Sequence, residues 1–284
     1  MSRNQDRSQG GAQQQDTSPP VQVMNEGTEG FSFVIPTEFV ELPSGGRYYP
    51  PGHPLHGESA IEIKQMTAKE EDMLTSRTLL KKGVALDRVI GSLIINKAIN
   101  PDSLFIGDRN AIIVATRVSG YGSDYTTKVT CPQCGENQEY SFDLNDASVY
   151  TGDDDNTMSV TDNQNSTFDV TLPKTNVIVT FKLLTGTDEK RLAAGAQADK
   201  KQRQEHGITR QLASLIVAVN GDSNIDAIRY LIENMPSTDS RHLRLAYKLT
   251  APNVDMTQHF ECGECDYDQN MEVPLSADFF WPDR

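Results

Sequence analysis

Apolar and polar positions change period several times along this chain, and the changes mark its elements. Ile61-Glu62-Ile63-Lys64-Gln65-Met66 alternates strictly, the period of a half-buried strand. Thr67 ends the alternation, and Glu70 completes a capping box in which the threonine oxygen and the glutamate satisfy free N–H groups at a helix start. One helix is expected over about 68 to 80 and a second over roughly 86 to 98, where Leu86, Val89, Ile90, Leu93, Ile94 and Ile95 form a wide apolar face. Asp108 reads as the cap of a third, carrying Ile112, Ile113, Ala115 and Val118 as far as Gly120-Tyr121-Gly122. A hairpin should follow from Tyr125 to Leu144. The later half repeats the theme. Strands are expected at Phe168 to Leu172 and Val177 to Leu184, a highly charged helix near 187–204, and further helices near 208–219, 224–234 and 238–249. A second hairpin should follow the last of these.

The segments between are of other kinds. Residues 1–30 are rich in Gly, Gln, Ser and Pro and are expected to be a disordered tail. Phe31 to Ile35 alternates as a strand start, and Leu42 to Gly52, with two adjacent glycines and several prolines, reads as a turn-bearing loop. Residues 145–166 carry Asp153-Asp154-Asp155 and Asp162-Asn163-Gln164-Asn165 with few apolar anchors, and read as an acidic, solvated linker. Closely spaced carboxylates suit Ca²⁺, but the EF-hand spacing, with its glycine and terminal glutamate, is missing.

The two halves match in order. Ile61 to Thr67 followed by Glu70, Glu71 and Leu74 resembles Val179 to Thr185 followed by Asp188, Glu189 and Leu192. Ser92-Leu93-Ile94-Ile95 stands opposite Ser214-Leu215-Ile216-Val217, Asp108 opposite Asp239 and Leu144 opposite Leu275. The only four cysteines fall in register as well, in Cys131-Pro132-Gln133-Cys134 and Cys262-Gly263-Glu264-Cys265. The expected architecture is therefore α+β. It has two related units, 31–144 and 167–284, each made of strands and helices followed by a strand–CxxC–strand knuckle. A pseudo-twofold arrangement of the units would join them at one zinc-ribbon-like site of four cysteines.

Four thiolates in two CxxC pairs suit the tetrahedral sulfur shell of Zn²⁺. The expected metal ligands are Cys131, Cys134, Cys262 and Cys265, holding one structural zinc per chain with no open position for chemistry. Two disulfides, a reversible disulfide switch or a rubredoxin-like iron site use the same residues. His259 could compete as a ligand, but four cysteines already complete the shell. No catalytic or cofactor-binding residue is assigned. His53, His56, His206, His242 and His259 form no known catalytic arrangement, and neither phosphate-loop pattern is present. The chain is expected not to be an enzyme.

Charge narrows the partners. A formal net charge of −14 argues against broad contact with nucleic-acid phosphates, and Glu136, Glu139, Glu261, Glu264, Asp266 and Asp268 place acids on the knuckles themselves. With 37% hydrophobic residues and no apolar run near the ~18 residues a membrane helix needs, the chain is expected to be soluble with no membrane span. Its start, Met1-Ser2-Arg3-Asn4-Gln5, has no signal-peptide character, and the cysteine pattern fits a reducing compartment. The aromatic end, Phe279-Phe280-Trp281, must pack either on the chain's own hairpin or on a partner.

Three stretches carry a resemblance. They are Phe39 to Pro50, then Gly107-Asp108-Arg109-Asn110 through Thr116 to Gly122 with Cys131 to Cys134, and Val273-Pro274-Leu275 to Phe279-Phe280-Trp281-Pro282. On these the chain resembles the baseplate hub proteins of T-even-type contractile-tailed bacteriophages, over most of residues 31–284. The tail at 1–30 and the insert at 145–166 depart from that pattern. The resemblance implies a structural virion protein, a baseplate hub subunit or hub-assembly factor. Its partners would be other tail and baseplate proteins, and its location the virion tail, after assembly in the host bacterial cytoplasm. Homo-oligomerisation within the baseplate is left open. The contact candidates are the Pro43–Pro51 loop and the aromatic C-terminus. Two alternative functions stand beside it: a zinc-ribbon adaptor in nucleic-acid machinery, and a redox-responsive CxxC protein.

Overall fold

The computed structural model describes residues 23–24, 33–152, 156–202, 206–274 and 277–280. The first half runs β1 (Val23–Met24), β2 (Val34–Ile35), β3 (Thr37–Glu41), β4 (Ala60–Lys64), α1 (Ala68–Thr75), α2 (Arg77–Lys82), α3 (Ala85–Leu93), α4 (Ile106–Tyr121), β5 (Asp124–Thr130) and β6 (Asn137–Asp143). Two short strands, β7 (Ser148–Tyr150) and β8 (Thr161–Asp162), lead onward. The second half runs β9 (Thr167–Thr171), β10 (Ile178–Lys182), α5 (Gly186–Gln202), α6 (Gly207–Leu215), β11 (Ile216–Val219), α7 (Ile225–Asn234), α8 (Ser237–Thr250), β12 (Asn253–Asp255), β13 (Thr257–Glu261) and β14 (Asp268–Glu272). The α+β class expected from the sequence is the class observed.

The internal match is visible in hydrogen bonds. In the first half β3 pairs antiparallel with β4, placing Val40 opposite Ile61 and Thr37 opposite Lys64. In the second, β9 pairs with β10, placing Val170 opposite Val179 and Thr167 opposite Lys182. The next helix then starts in the same way twice. Thr67 N–H donates to Glu70 at 3.0 Å while Lys64 pairs with the same carboxylate at 2.8 Å. Thr185 N–H donates to Asp188 at 3.1 Å while Lys182 pairs with it at 2.8 Å. An Ile63–Ile94 bridge closes the first copy where Phe181–Ile216 pairing closes the second.

A buried aspartate then ties each long helix to the turn after the first strand. Asp108, in the first turn of α4, accepts from Ser44 N–H at 3.0 Å, Ser44 Oγ at 2.7 Å and Tyr49 Oη at 2.7 Å. Asp239, in the first turn of α8, accepts from Lys174 N–H at 2.8 Å, Thr175 N–H at 3.1 Å and Thr175 Oγ1 at 2.8 Å. Both aspartates are fully buried. The turns they hold are Leu42-Pro43-Ser44 and Leu172-Pro173-Lys174, a sequence match that brings the repeat back as far as the first strand of each copy.

Several expected boundaries move. The helix expected over 68–80 is broken at Ser76, whose extended backbone and side chain cap α2, and Gly83 at φ +68° ends that helix. The helix expected over 86–98 stops at Leu93, because Ile94 bridges to Ile63 and Ile95 N–H donates to Glu62 O at 3.2 Å. The helix expected over 208–219 stops at Leu215 for the equivalent reason, since Ile216–Val219 joins the sheet as β11. Asp108 does not cap α4; Phe105 holds that position and the Asp108 side chain turns inward. Of the expected tail, Val23–Met24 is a short strand paired with Val34–Ile35, and the rest lies outside the described residues. The described residues of 145–166 are mostly exposed, and within them β7 pairs with β12 and β8 with β9. Its Asp153-Asp154-Asp155 lies outside the described residues.

The halves are joined by backbone. Ile106 N–H donates to Leu184 O at 3.0 Å and Gly186 N–H to Leu104 O at 2.9 Å. Gly107 packs so closely that an added Cβ would stand 2.0 Å from Pro252 O. Arg109, Asp87, Asp102 and Lys190 form an ion network across the same junction, with Arg109–Asp87 at 2.7 Å and Lys190–Asp102 at 2.6 Å. One hydrophobic core, containing Ile63, Ile112, Phe168, Phe181 and Leu243, runs through both.

Asp108→Ala leaves three donors without their acceptor and should cost about 2–4 kcal/mol, read from chemical denaturation, with Asp239→Ala close behind. For Glu70, burial opposes ionisation, but hydrogen bonds from Lys64, Ser92 and Thr67 outweigh it and hold the carboxyl at about 2 against an ordinary 4.5. A depressed folded-state pKa stabilises above the unfolded value, so this contribution should be full above pH 4.5 and fade as pH falls toward 2. Denaturation midpoints across that range should drop less steeply in Glu70→Gln than in the unaltered chain.

Candidate metal centre

Each knuckle grows from a hairpin whose register fixes where its cysteines point. In β5–β6 the pairing ends at Thr130–Asn137, leaving Cys131 as the first residue of the turn. Cys131 N–H donates to Glu136 O at 2.8 Å, and Gly135, at φ +77°, donates to Cys131 O at 2.9 Å. In β13–β14 the pairing ends at Glu261–Asp268, and Cys262 N–H donates to Tyr267 O at 2.9 Å. The two turns therefore bend around a common point.

All four sulfurs meet there, within 4.8 Å of one another. Cys131 Sγ lies 3.7 Å from Cys265 Sγ, and Cys134 Sγ lies 3.8 Å from Cys262 Sγ. A tetrahedral site with Zn–S of about 2.3 Å has sulfur–sulfur edges of about 3.8 Å, whereas a disulfide needs about 2.05 Å. The cysteines are free, and the arrangement has the dimensions of a metal site. Cys131 and Cys262 are buried, Cys265 half-buried and Cys134 exposed. Burial opposes ionisation of Cys131, but N–H groups of Cys134 and Gln133 directed at its sulfur outweigh it and hold the thiol at about 6. Four thiols from two turns could fill a tetrahedral shell, which would leave no vacant position at an ion.

The hairpins meet through side chains, without a shared ladder. Gln138 donates to Glu261 O at 3.2 Å and accepts from Gly263 N–H at 3.0 Å, bridging one knuckle to the other. Gln258 donates to Asp143 O at 2.7 Å, and Tyr140 Oη donates to His259 O at 3.3 Å. Beneath them Tyr140 stacks edge-on against Phe260 at 5.0 Å. Sequence reasoning passed over Gln138; a polar residue on a strand next to a CxxC is the only signal it offered. His259 stands apart from the sulfurs and pairs with Asp268 at 3.3 Å.

Arg117 orients the first hairpin and was not foreseen. Fully buried at the end of α4, it donates to Phe279 O at 2.6 Å, to Asp124 O at 2.9 Å and to Gly122 O. Phe279 in turn packs edge-on against Tyr125 at 5.2 Å. Phe279 and Phe280 are thus buried on the chain's own first hairpin, while Trp281 lies outside the described residues. The Pro43–Pro51 loop likewise turns Ser44 and Tyr49 inward to Asp108 and leaves Arg47 exposed.

One pair elsewhere has the look of a nucleophile and base. His53 Nε2 lies 2.9 Å from Ser103 Oγ. Leu55 N–H donates to His53 Nδ1 at 3.2 Å, so the proton sits on Nε2 and His53 is the donor to Ser103. Ser103 Oγ gives its own proton to Asn100 O at 2.7 Å. The couple closes a loop and is not set up to activate the hydroxyl.

The sequence model of the family described as T4 bacteriophage base plate protein matches residues 35–281, most of the chain and both knuckles. The chain belongs to this family. No curated protein and no solved structure matches it. As a member of the baseplate family it is a structural component of a phage tail, and membership implies other tail proteins as partners. Among the described residues, no helix of this baseplate protein is long and apolar enough to cross a membrane.

Arg117→Ala removes the donor to three backbone carbonyls and should destabilise by about 3 kcal/mol or more. Hydrogen exchange should show the 277–280 turn losing protection first, ahead of β9 and β10.

Proposed function

We propose that this baseplate protein is a hub subunit or hub-assembly factor that acts by docking, and that Zn²⁺ in its four-cysteine site staples two repeated units into one rigid block. The observation that carries the metal reading is the sulfur tetrahedron, with cross-hairpin contacts of 3.7 and 3.8 Å contributed equally by both halves. Cys131, Cys134, Cys262 and Cys265 would hold the ion, and when bound it supplies a fixed cross-link between hairpins that otherwise touch only through side chains. The units are the segments 31–144 and 167–284, with 145–166 between them. A closed site and an acidic, exposed rim around it favour a scaffold over an enzyme or a nucleic-acid adaptor. The protein would assemble with its neighbours in the host cytoplasm and reside in the virion tail.

Elemental mass spectrometry of the purified chain should find roughly one zinc per chain, with all four thiols protected from alkylation until a chelator is added. An unmetallated chain with reactive thiols would overturn the staple. Gln138→Ala removes the bridge to the backbone on both sides of Cys262 and should weaken zinc about tenfold in competition with a chromophoric chelator. The hub role is tested separately, by the co-purification of tail proteins with the tagged chain during infection and by loss of baseplate assembly on its deletion.

A further inference from the structure

The four-cysteine site holds more information than a metal count. Its two short thiol contacts, Cys131 to Cys265 and Cys134 to Cys262, both run between hairpins. Each joins a buried first cysteine of one knuckle to the more accessible second cysteine of the other. Contacts that do not involve the sulfurs also join the hairpins. Gln138 spans both knuckles, Gln258 and Tyr140 cross from strand to strand, and Tyr140 and Phe260 form the floor. These contacts would keep the same sulfurs facing one another once a metal is lost.

We propose that the site is a staple with two redox states: zinc-bound thiolates when reduced and, on oxidation, two disulfides between the hairpins, Cys131–Cys265 and Cys134–Cys262. This rests on the zinc reading above. With hydrogen peroxide as the oxidant, the exposed Cys134 thiolate attacks one peroxide oxygen, the O–O bond breaks, hydroxide leaves and Cys134 becomes a sulfenic acid. The Cys262 thiolate then attacks the Cys134 sulfur, the S–S bond forms and a second hydroxide leaves. Two thiolates have lost two electrons, and one peroxide, after protonation, has become two waters. Cys265 and Cys131 follow in the same way with a second peroxide, and zinc departs as its ligands are consumed. A particle that leaves the reducing cytosol would thus exchange one cross-link for another between the same two hairpins.

The test uses the reduced, full-length, zinc-loaded chain treated with hydrogen peroxide. Zinc release is followed with a metallochromic dye, the disulfides are mapped by non-reducing peptide mass spectrometry, and the thermal midpoint is compared with that of the reduced, chelated chain. The expected result is zinc release with the two cross-hairpin disulfides and a midpoint above that of the chelated chain. Disulfides within the knuckles, Cys131–Cys134 and Cys262–Cys265, would overturn the proposal, as would sulfinic acids or a midpoint no higher than the chelated chain's. A reduced chain that carries no zinc would instead sink the metal reading, and the disulfide map would still decide the pairing.

Discussion

A carboxylate with no access to water must have its lone pairs met inside the protein, and Asp108 and Asp239 meet theirs with the turn that follows the first strand of each half. That demand fixes the angle between a strand hairpin and a long helix. In the first half the helix ends where the knuckle hairpin begins, and in the second the short strand β12 lies between the two. In the first half the cluster is larger. Tyr49 Oη also accepts from Phe105 N–H at 3.2 Å, and Gly46, at φ +69°, lies where any side chain would strike Glu58 backbone. Burial raises the Asp108 pKa, while the donors from Ser44 and Tyr49 oppose that rise.

The two halves are locked at one end by backbone and at the other by side chains. At Gly107 the chain passes so close to Pro252 that only hydrogen fits in place of a side chain. At the knuckles, among the described residues, Gln138, Gln258, Tyr140 and the sulfurs span the gap. A cross-link there closes a very long loop, where it removes the most freedom from the unfolded chain. Zinc would therefore matter most where the two hairpins are held to each other by side chains.

Much of this was legible beforehand, and the failures have physical causes. The cysteine pairs, the Ile61 and Val179 strands and the Asp108–Asp239 match reflect local chemistry repeated in order, and all of them found their partners in space. The Leu42-Pro43-Ser44 and Leu172-Pro173-Lys174 match was hidden because the loop after the first turn is long in one half and short in the other. Ile94 and Ile216 continue an apolar helical face in sequence, yet each is claimed by a sheet, a tertiary choice that periodicity cannot see. Asp108 has the composition of a cap and the location of a core residue. Nothing in the periodicity singles out Arg117; only the carbonyls that surround it, from Gly122, Asp124 and Phe279, reveal its role.

The division of the sulfurs between distant hairpins also orders events in time. A ribosome delivers the first knuckle with only half a coordination shell, and the second pair follows after all of β9 to β13 has been made. Two thiolates on one turn hold zinc weakly compared with four. Capture of an ion would then be a late step, one that waits for the second half to fold against the first. The metal would act as a seal on correctly docked halves, and a chain whose halves had mispaired would remain unsealed.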